Sequence, residues 1–425
     1  LEEYYLMQKL ARGFGTENID FRLDHANLSA GSSMDSSITL SEIESVDHAL
    51  ILSSYTRLEQ PMISHRIRKA VINGATVNTI NSKKFDFNFK TKIDLLASPQ
   101  TLLPALQSIL KSLYLKTKAD LPEQLSKVNF SDEHDKFADD LIASENGVIV
   151  LGEHLNSNSS SSVIISTVSQ IARISNSKIA NLTLSGNAHS AEKVGFIPTN
   201  QGMNAGSMLT ESSKAFLLMD VDSEYDFYNP KLAMDLFNKD DVFVVSLTSF
   251  ENQSTLLSAD VILPMASFYE TSGTHINFDG IAQSFSASVK SPGDSKPGWK
   301  IIKVMADLLK LEGFNFVDSS QVAEKALLSS KAQTNISGVS AETFEDSDIT
   351  TLWQYAPYAI DNVTRRAKAL QDSNIGKINS AYIAKSTAKK LSLSEDDLYL
   401  GVPVSISDDV AEDCVFVHTS QARRV

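Results

Sequence analysis

Residues 258–299 constrain this chain more than any other stretch. A short apolar run, Val261-Ile262-Leu263, is stopped by Pro264, which has no N–H to give to a strand ladder. Glu270, Gly273, Thr274, Asn277, Gly280 and Gln283 follow at close spacing, then a loop rich in proline and glycine, then a helix starting near Trp299. Gly273 and Gly280 permit positive φ or a close backbone approach. The side chains of Glu270, Thr274, Asn277 and Gln283 can hydrogen-bond a loop that has few backbone partners of its own. Taken alone, the pattern reads as a backbone cradle for a ligand rather than as a side-chain catalytic centre.

The chain has 425 residues, room for two or three domains. Its net charge is -14 and no Lys/Arg-dense block occurs, which argues against nucleic acid as a partner. No run of about 18 apolar residues exists, so no direct membrane insertion by a helix is expected. The single cysteine, Cys414, cannot form an intrachain disulfide or ligate a four-thiolate iron–sulfur cluster. It lies in the run Cys414-Val415-Phe416-Val417-His418 and reads as a buried strand residue. The chain opens at Leu1 inside an amphipathic helix, and a piece of a longer protein is expected.

Apolar spacing at Leu1, Tyr4, Tyr5, Met7 and Leu10 predicts a first helix, ended by Gly13 and Gly15. Ser41 and Glu44 suggest a capping box on a short helix. A strand at Ala49–Leu52, a helix at 61–72 and a strand at Val77–Ile80 form a parallel crossover unit. Helices near 100–115 and 133–144 follow. A second series begins at Val148. Its strands are expected at 148–151, Leu182–Leu184, Ala215–Met219, Val242–Ser246 and Val261–Leu263, with helices at 162–174, 230–238 and 299–311. In the last helix Trp299, Ile302, Met305 and Leu309 share one face. This alternation predicts an α/β protein with two doubly wound, mainly parallel sheet domains, 1–125 and 126–335. Residues 336–425 would form a linker and a small C-terminal β unit, with strands at Val402–Ile406 and Cys414–His418.

Common catalytic motifs are absent. Gly13-Phe14-Gly15 follows a helix and lacks the third glycine of a dinucleotide site. No phosphate loop, His-Glu-x-x-His zinc motif or Gly-x-Ser-x-Gly elbow occurs. His134 sits among Asp132, Glu133 and Asp135 and fits a solvated helix start better than a metal site. His154, His189 and His275 lie near expected strand ends, without carboxylate or cysteine partners at suggestive spacing. Arg66, Arg68 and Lys69 read as the wet side of helix 61–72. No catalytic, cofactor-binding or metal-ligating residue is assigned.

The stretch Glu270-x-x-Gly273-Thr274-x-x-Asn277-x-x-Gly280-x-x-Gln283 resembles the molybdopterin oxidoreductase superfamily. Residues 1–25 and Gly195-Phe196-Ile197-Pro198 are similar to further segments of it. Ile281 stands where that family has arginine, the natural fork for a phosphate-bearing cofactor. The details are most similar to the large iron–sulfur subunits, the 75 kDa type, of NADH:quinone oxidoreductase, respiratory complex I. That resemblance implies a structural, non-redox portion without cofactor, and iron–sulfur clusters in an upstream region. It also implies docking to other peripheral-arm subunits of complex I, on the cytoplasmic side of a bacterial inner membrane or the mitochondrial matrix side. The alternative is a catalytic molybdopterin-dependent oxidoreductase such as a formate dehydrogenase-like enzyme.

Overall fold

A computed structural model describes the chain except for residues 24–35, 153, 156–157, 159, 184–185, 200–201, 212, 330–348 and 422–425. Five parallel strands build the first sheet: β1 (His48–Leu52), β2 (Thr76–Asn81), β3 (Ile93–Leu96), β4 (Gly147–Leu151) and β5 (Lys178–Asn181). Their order is β3-β2-β1-β4-β5, so the winding reverses between β1 and β4. Both central strands are buried along their whole length. Their continuous apolar runs are what helices on both faces require. One face carries Leu106 and Ile109 of helix Pro99–Thr117 with Phe137 and Ile164 of its neighbours. Helix Pro61–Ile72 covers the other through Ile63 and Ile67.

A second sheet holds β6 (Ala215–Met219), β7 (Phe243–Thr248) and β8 (Val261–Pro264), parallel and in sequence order. An antiparallel hairpin follows, β9 (Gly273–Ile276) with β10 (Ala282–Phe285). The last sheet contains β11 (Thr350–Tyr355), β12 (Asn379–Ile383), β13 (Leu398–Tyr399), β14 (Val402–Ile406) and β15 (Cys414–Thr419). It is mixed, in the order β11-β15-β12-β14-β13. The architecture is therefore mixed α/β with two parallel sheets and a small third one.

Several boundaries differ from those expected. Position 125 does not separate the sheets, because β4 and β5 join β1 in the first one. Helix Glu2–Gly13 belongs with the second sheet: Leu6 and Leu10 pack on Trp299, Ile302 and Val322. The strand expected at Leu182–Leu184 lies at Lys178–Asn181, where Ile179 and Ala180 pair with β4. β3 has no counterpart in the sequence pattern, its four residues being only half-buried at the sheet edge. Ser41 caps nothing with its side chain; the short turn Glu42–Ser45 is held instead by Glu42, which accepts from the Thr39 N–H at 2.7 Å. Leu309 is 47 % exposed because its helix stops at Leu308, and Ala306 takes the buried place. The expected linker falls almost wholly on residues outside those described.

Gly152 ends β4 hard against the end of β1. A Cβ there would lie 2.2 Å from Ser54 Cβ and 2.3 Å from Ser53 O. Gly147, at the start of β4, would meet only two serine hydroxyls that can rotate away. Gly152→Ala is expected to lower stability by about 1–3 kcal/mol, and Gly147→Ala by less. Urea unfolding of both variants checks this, and equal effects would refute the close approach.

Candidate functional site

In open parallel sheets, ligands sit at the carboxyl ends of strands where the order reverses. In the first sheet that place lies beyond Leu52 and Leu151. β1 ends in Ser53, a non-glycine residue at φ 51°, a conformation kept only where the surroundings enforce it. The short helix Thr56–Glu59 then turns Glu59 back toward the strand end. Ser54 Oγ donates to Glu59 Oε2 at 2.7 Å, and the Tyr55 N–H donates to Oε1 at 2.8 Å. The Glu59 side chain is 4 % exposed.

The last sheet roofs this crevice. Gln354 Nε2, from β11, donates to Glu59 Oε1 at 3.3 Å, and His154 Nδ1 lies 3.9 Å from the same oxygen. His418 is the ladder partner of Gln354 on β15. Burial, with His154 and Lys83 nearby, pushes its imidazole down to about 4, so it stays neutral. The Phe416 ring lies against His154 and Phe85, with centroids 5.3 and 5.5 Å away. Thr56 Oγ1, Asn81 Nδ2, Gln354 Oε1 and His418 Nε2 have no hydrogen-bond partner among the described residues. Buried polar atoms without partners are costly. This is a polar crevice made for hydrogen bonding, and no group of three metal-ligating side chains occurs among the described residues.

Polar groups also gather at a strand end of the second sheet, although its strand order does not reverse. β6 ends in Asp220 at φ 52°, and Asn362 Nδ2 donates to its carbonyl at 3.2 Å. Arg365 Nη2 lies 2.5 Å from Asp226 Oδ1, and Nη1 lies 3.9 Å from Asp222 Oδ2. Burial pushes Asp226 up to about 6 against the pull of Arg365. The Arg365 guanidinium covers the Tyr225 ring at 4.5 Å, and Arg366 covers Phe250 at 4.5 Å. Helix Asn362–Arg366 thus lies across this strand end too.

The motif at 258–299 is a brace. Where its sequence predicts a loop with few backbone partners, the structure has a hairpin. The alternation that makes it so is visible in β9, where Thr274 and Ile276 are buried. Glu270 closes a capping box with Ser267, accepting its N–H at 2.8 Å. At Gly273 an added Cβ would lie 3.0 Å from the tip of the Phe285 ring, which would have to shift. Thr274 donates its N–H to Glu2 at 3.0 Å and shares a hydroxyl contact with Ser284 at 3.0 Å. Asn277 Oδ1 accepts the N–H groups of Asp279 and Ile281, and Gly280 completes the turn at φ 74°. The tip reaches the first unit, where Asp279 Oδ1 accepts the Leu40 N–H at 2.7 Å and Phe278 joins that core. Gln283 and Ile281 are exposed, Ile281 by 56 %.

The other residues singled out fall apart in space. Cys414 is fully buried, and burial pushes its thiol up to about 12, leaving it inert. His134 sits in the first turn of helix Asp132–Ala143, half-buried and lowered by that burial. His275 lies between the Phe268 and Phe285 rings. Arg66 and Lys69 share Glu44. Gly13 ends its helix. His154 joins the buried polar cluster at the first crevice. Its partners Glu59, Gln354 and His418 lie far off in sequence, so no local motif could have signalled them.

Comparison with known proteins places this geometry. The family model described as Molybdopterin oxidoreductase matches residues 1–308. A curated relative, "NADH dehydrogenase [ubiquinone] iron-sulfur protein 1, mitochondrial" of Solanum tuberosum, is 26% identical over 67% of this chain and 33% of its own length. The "NADH-ubiquinone oxidoreductase 75 kDa subunit" of Reclinomonas americana is 22% identical over 69% of this chain and 36% of its own. A formate dehydrogenase alpha subunit of Methanococcus maripaludis is 24% identical over 76% of this chain and 58% of its own. The chain thus spans about a third of the first two relatives. Among solved structures, acetylene hydratase from Pelobacter acetylenicus shares the fold, with a TM-score of 0.62 at 12% identity, over 97% of this chain and 74% of that one.

Two expectations test these assignments. Glu270→Ala and Asn277→Ala should each lower stability by about 0.5–2 kcal/mol, the range for a lost cap or turn bond. Gln283→Ala should stay within about 0.5 kcal/mol. Thermal unfolding distinguishes them. The second concerns pH. His418 takes a proton near 6.5 when unfolded but only near 4 when folded. Its stabilising contribution is complete above about pH 6.5 and is lost as the pH falls toward 4, because the unfolded chain binds the proton first. His418→Gln should flatten the fall in urea midpoint between about pH 7 and 5; parallel pH profiles would refute the assignment.

Proposed function

Since the chain belongs to the molybdopterin oxidoreductase family, we propose that it is the structural, non-redox portion of a large iron–sulfur subunit of NADH:quinone oxidoreductase. The names of the plant and protist relatives support this reading. In it, this part carries no cofactor, and the iron–sulfur clusters lie upstream in the full subunit. It docks other peripheral-arm subunits, on the cytoplasmic or matrix side of the membrane. No described helix is long and apolar enough to cross a membrane.

The observation that carries the reading is Ile281. Its exposed side chain has no donor where the family's pattern calls for an arginine. The rest of the motif does not compensate: Glu270, Thr274 and Asn277 are spent on backbone and neighbouring hydroxyl groups. The buried Glu59 carboxylate at the first crevice would repel a phosphate, and Arg365 at the second is already paired. These side chains do not fit a phosphate-bearing pterin. A second reading, a catalytic formate dehydrogenase-like enzyme, is favoured by the Methanococcus relative, which covers more of both chains.

Molybdenum and pterin content separate the two. Purified full-length protein should contain neither, by elemental analysis and by fluorescence of oxidised pterin extracts. Stoichiometric pterin would overturn the structural reading and support the enzymatic one.

A further inference from the structure

We infer that the segment 350–419 is a built-in plug, closing the carboxyl-end crevices of both parallel sheets with its own side chains. The inference deepens the structural reading above and rests on it. Both crevices carry marks of a ligand-binding edge: a non-glycine strand end at positive φ, Ser53 in one and Asp220 in the other. At the first, Thr56 Oγ1 and Asn81 Nδ2 beside the strand ends also lack hydrogen-bond partners among the described residues. A sheet edge shaped only for packing would not need them.

Each crevice is filled from the same segment. At the first, Gln354 bonds the buried Glu59, and Phe416 packs on His154. At the second, Asn362 bonds the Asp220 carbonyl while Arg365 spans Asp226 and Asp222. Backbone bonds seat the plug over the first unit: the Lys84 N–H donates to Asp409 O and the Ala411 N–H to Ser82 O, each at 2.8 Å. The contacts at the two crevices share no side chain. Each seal is therefore separable, which distinguishes a plug from a domain interface that only adds overall stability.

Hydrogen exchange on the full-length protein reads this directly. In the unaltered protein both segments 53–60 and 220–226 should be protected. Arg365→Met should raise exchange in 220–226 by about tenfold, the factor given by about 1.4 kcal/mol, and leave 53–60 unchanged. Gln354→Leu should do the reverse. Arg365→Lys, which keeps the charge without the fork, gives a smaller rise at 220–226 and serves if Arg365→Met does not fold. No rise in either segment, or a rise spread evenly over the chain, would overturn the plug. Pterin bound to the unaltered protein would instead remove the structural reading beneath it, whatever the exchange shows.

Discussion

Glu59 is a carboxylate taken out of water, and the junction between the first and last sheets is arranged around it. An unpaired buried charge is among the most costly features a fold can hold. Here the cost is offset by donors from two directions. Ser54 and Tyr55 come from the turn that follows β1, and Gln354 comes from a strand 295 residues later. The left-handed turn at Ser53 and the close approach of Gly152 both place the local donors. If the last sheet were lifted away, Glu59 would lose a buried partner, so this side chain adds to the backbone bonds that already join the two units. The arrangement is also asymmetric. The local donors orient Glu59 from its own turn, while Gln354 reaches it from the covering sheet.

The hairpin couples the other pair of units by a different means. Its strand β9 is fixed to the second unit through Glu2 and its tip to the first through Leu40 and Phe278. Two of the motif side chains there, Glu270 and Asn277, serve backbone groups. Such a brace transmits position without needing chemistry at its surface.

How much of this was legible depended on how local the cause was. Apolar runs such as Gly147–Leu151 and amphipathic stripes such as Pro61–Ile72 declare themselves within a few residues, and the strands and helices they form lie where the pattern puts them. β3 was hidden because Ile-Asp-Leu-Leu is short, half-buried and interrupted by Asp94. The hairpin was hidden because Gly273, Asn277 and Gly280 look like loop residues, and only Thr274 and Ile276 carry the alternation. The sheet to which β4 and β5 belong is a matter of pairing, which no local pattern encodes. The crevices were out of reach altogether, since Glu59 with Gln354 and Asp226 with Arg365 meet only after the chain has folded.

This division explains why position 281 carries so much of the functional argument. Asn277 holds the turn by bonding the backbone of Ile281, accepting its N–H at 2.9 Å and donating its own N–H to the Ile281 carbonyl at 3.1 Å. The side chain of Ile281 takes no part and faces outward. Any L-residue with a backbone N–H would complete the same hairpin, so folding places little demand on that side chain. An isoleucine there offers no donor to an anionic ligand. Asn277 is the opposite case, because its amide oxygen holds the hairpin turn whether or not a ligand is bound. On the structural role proposed above, such a motif keeps the residues that serve the backbone and lacks only the outward-facing cation that would serve a ligand.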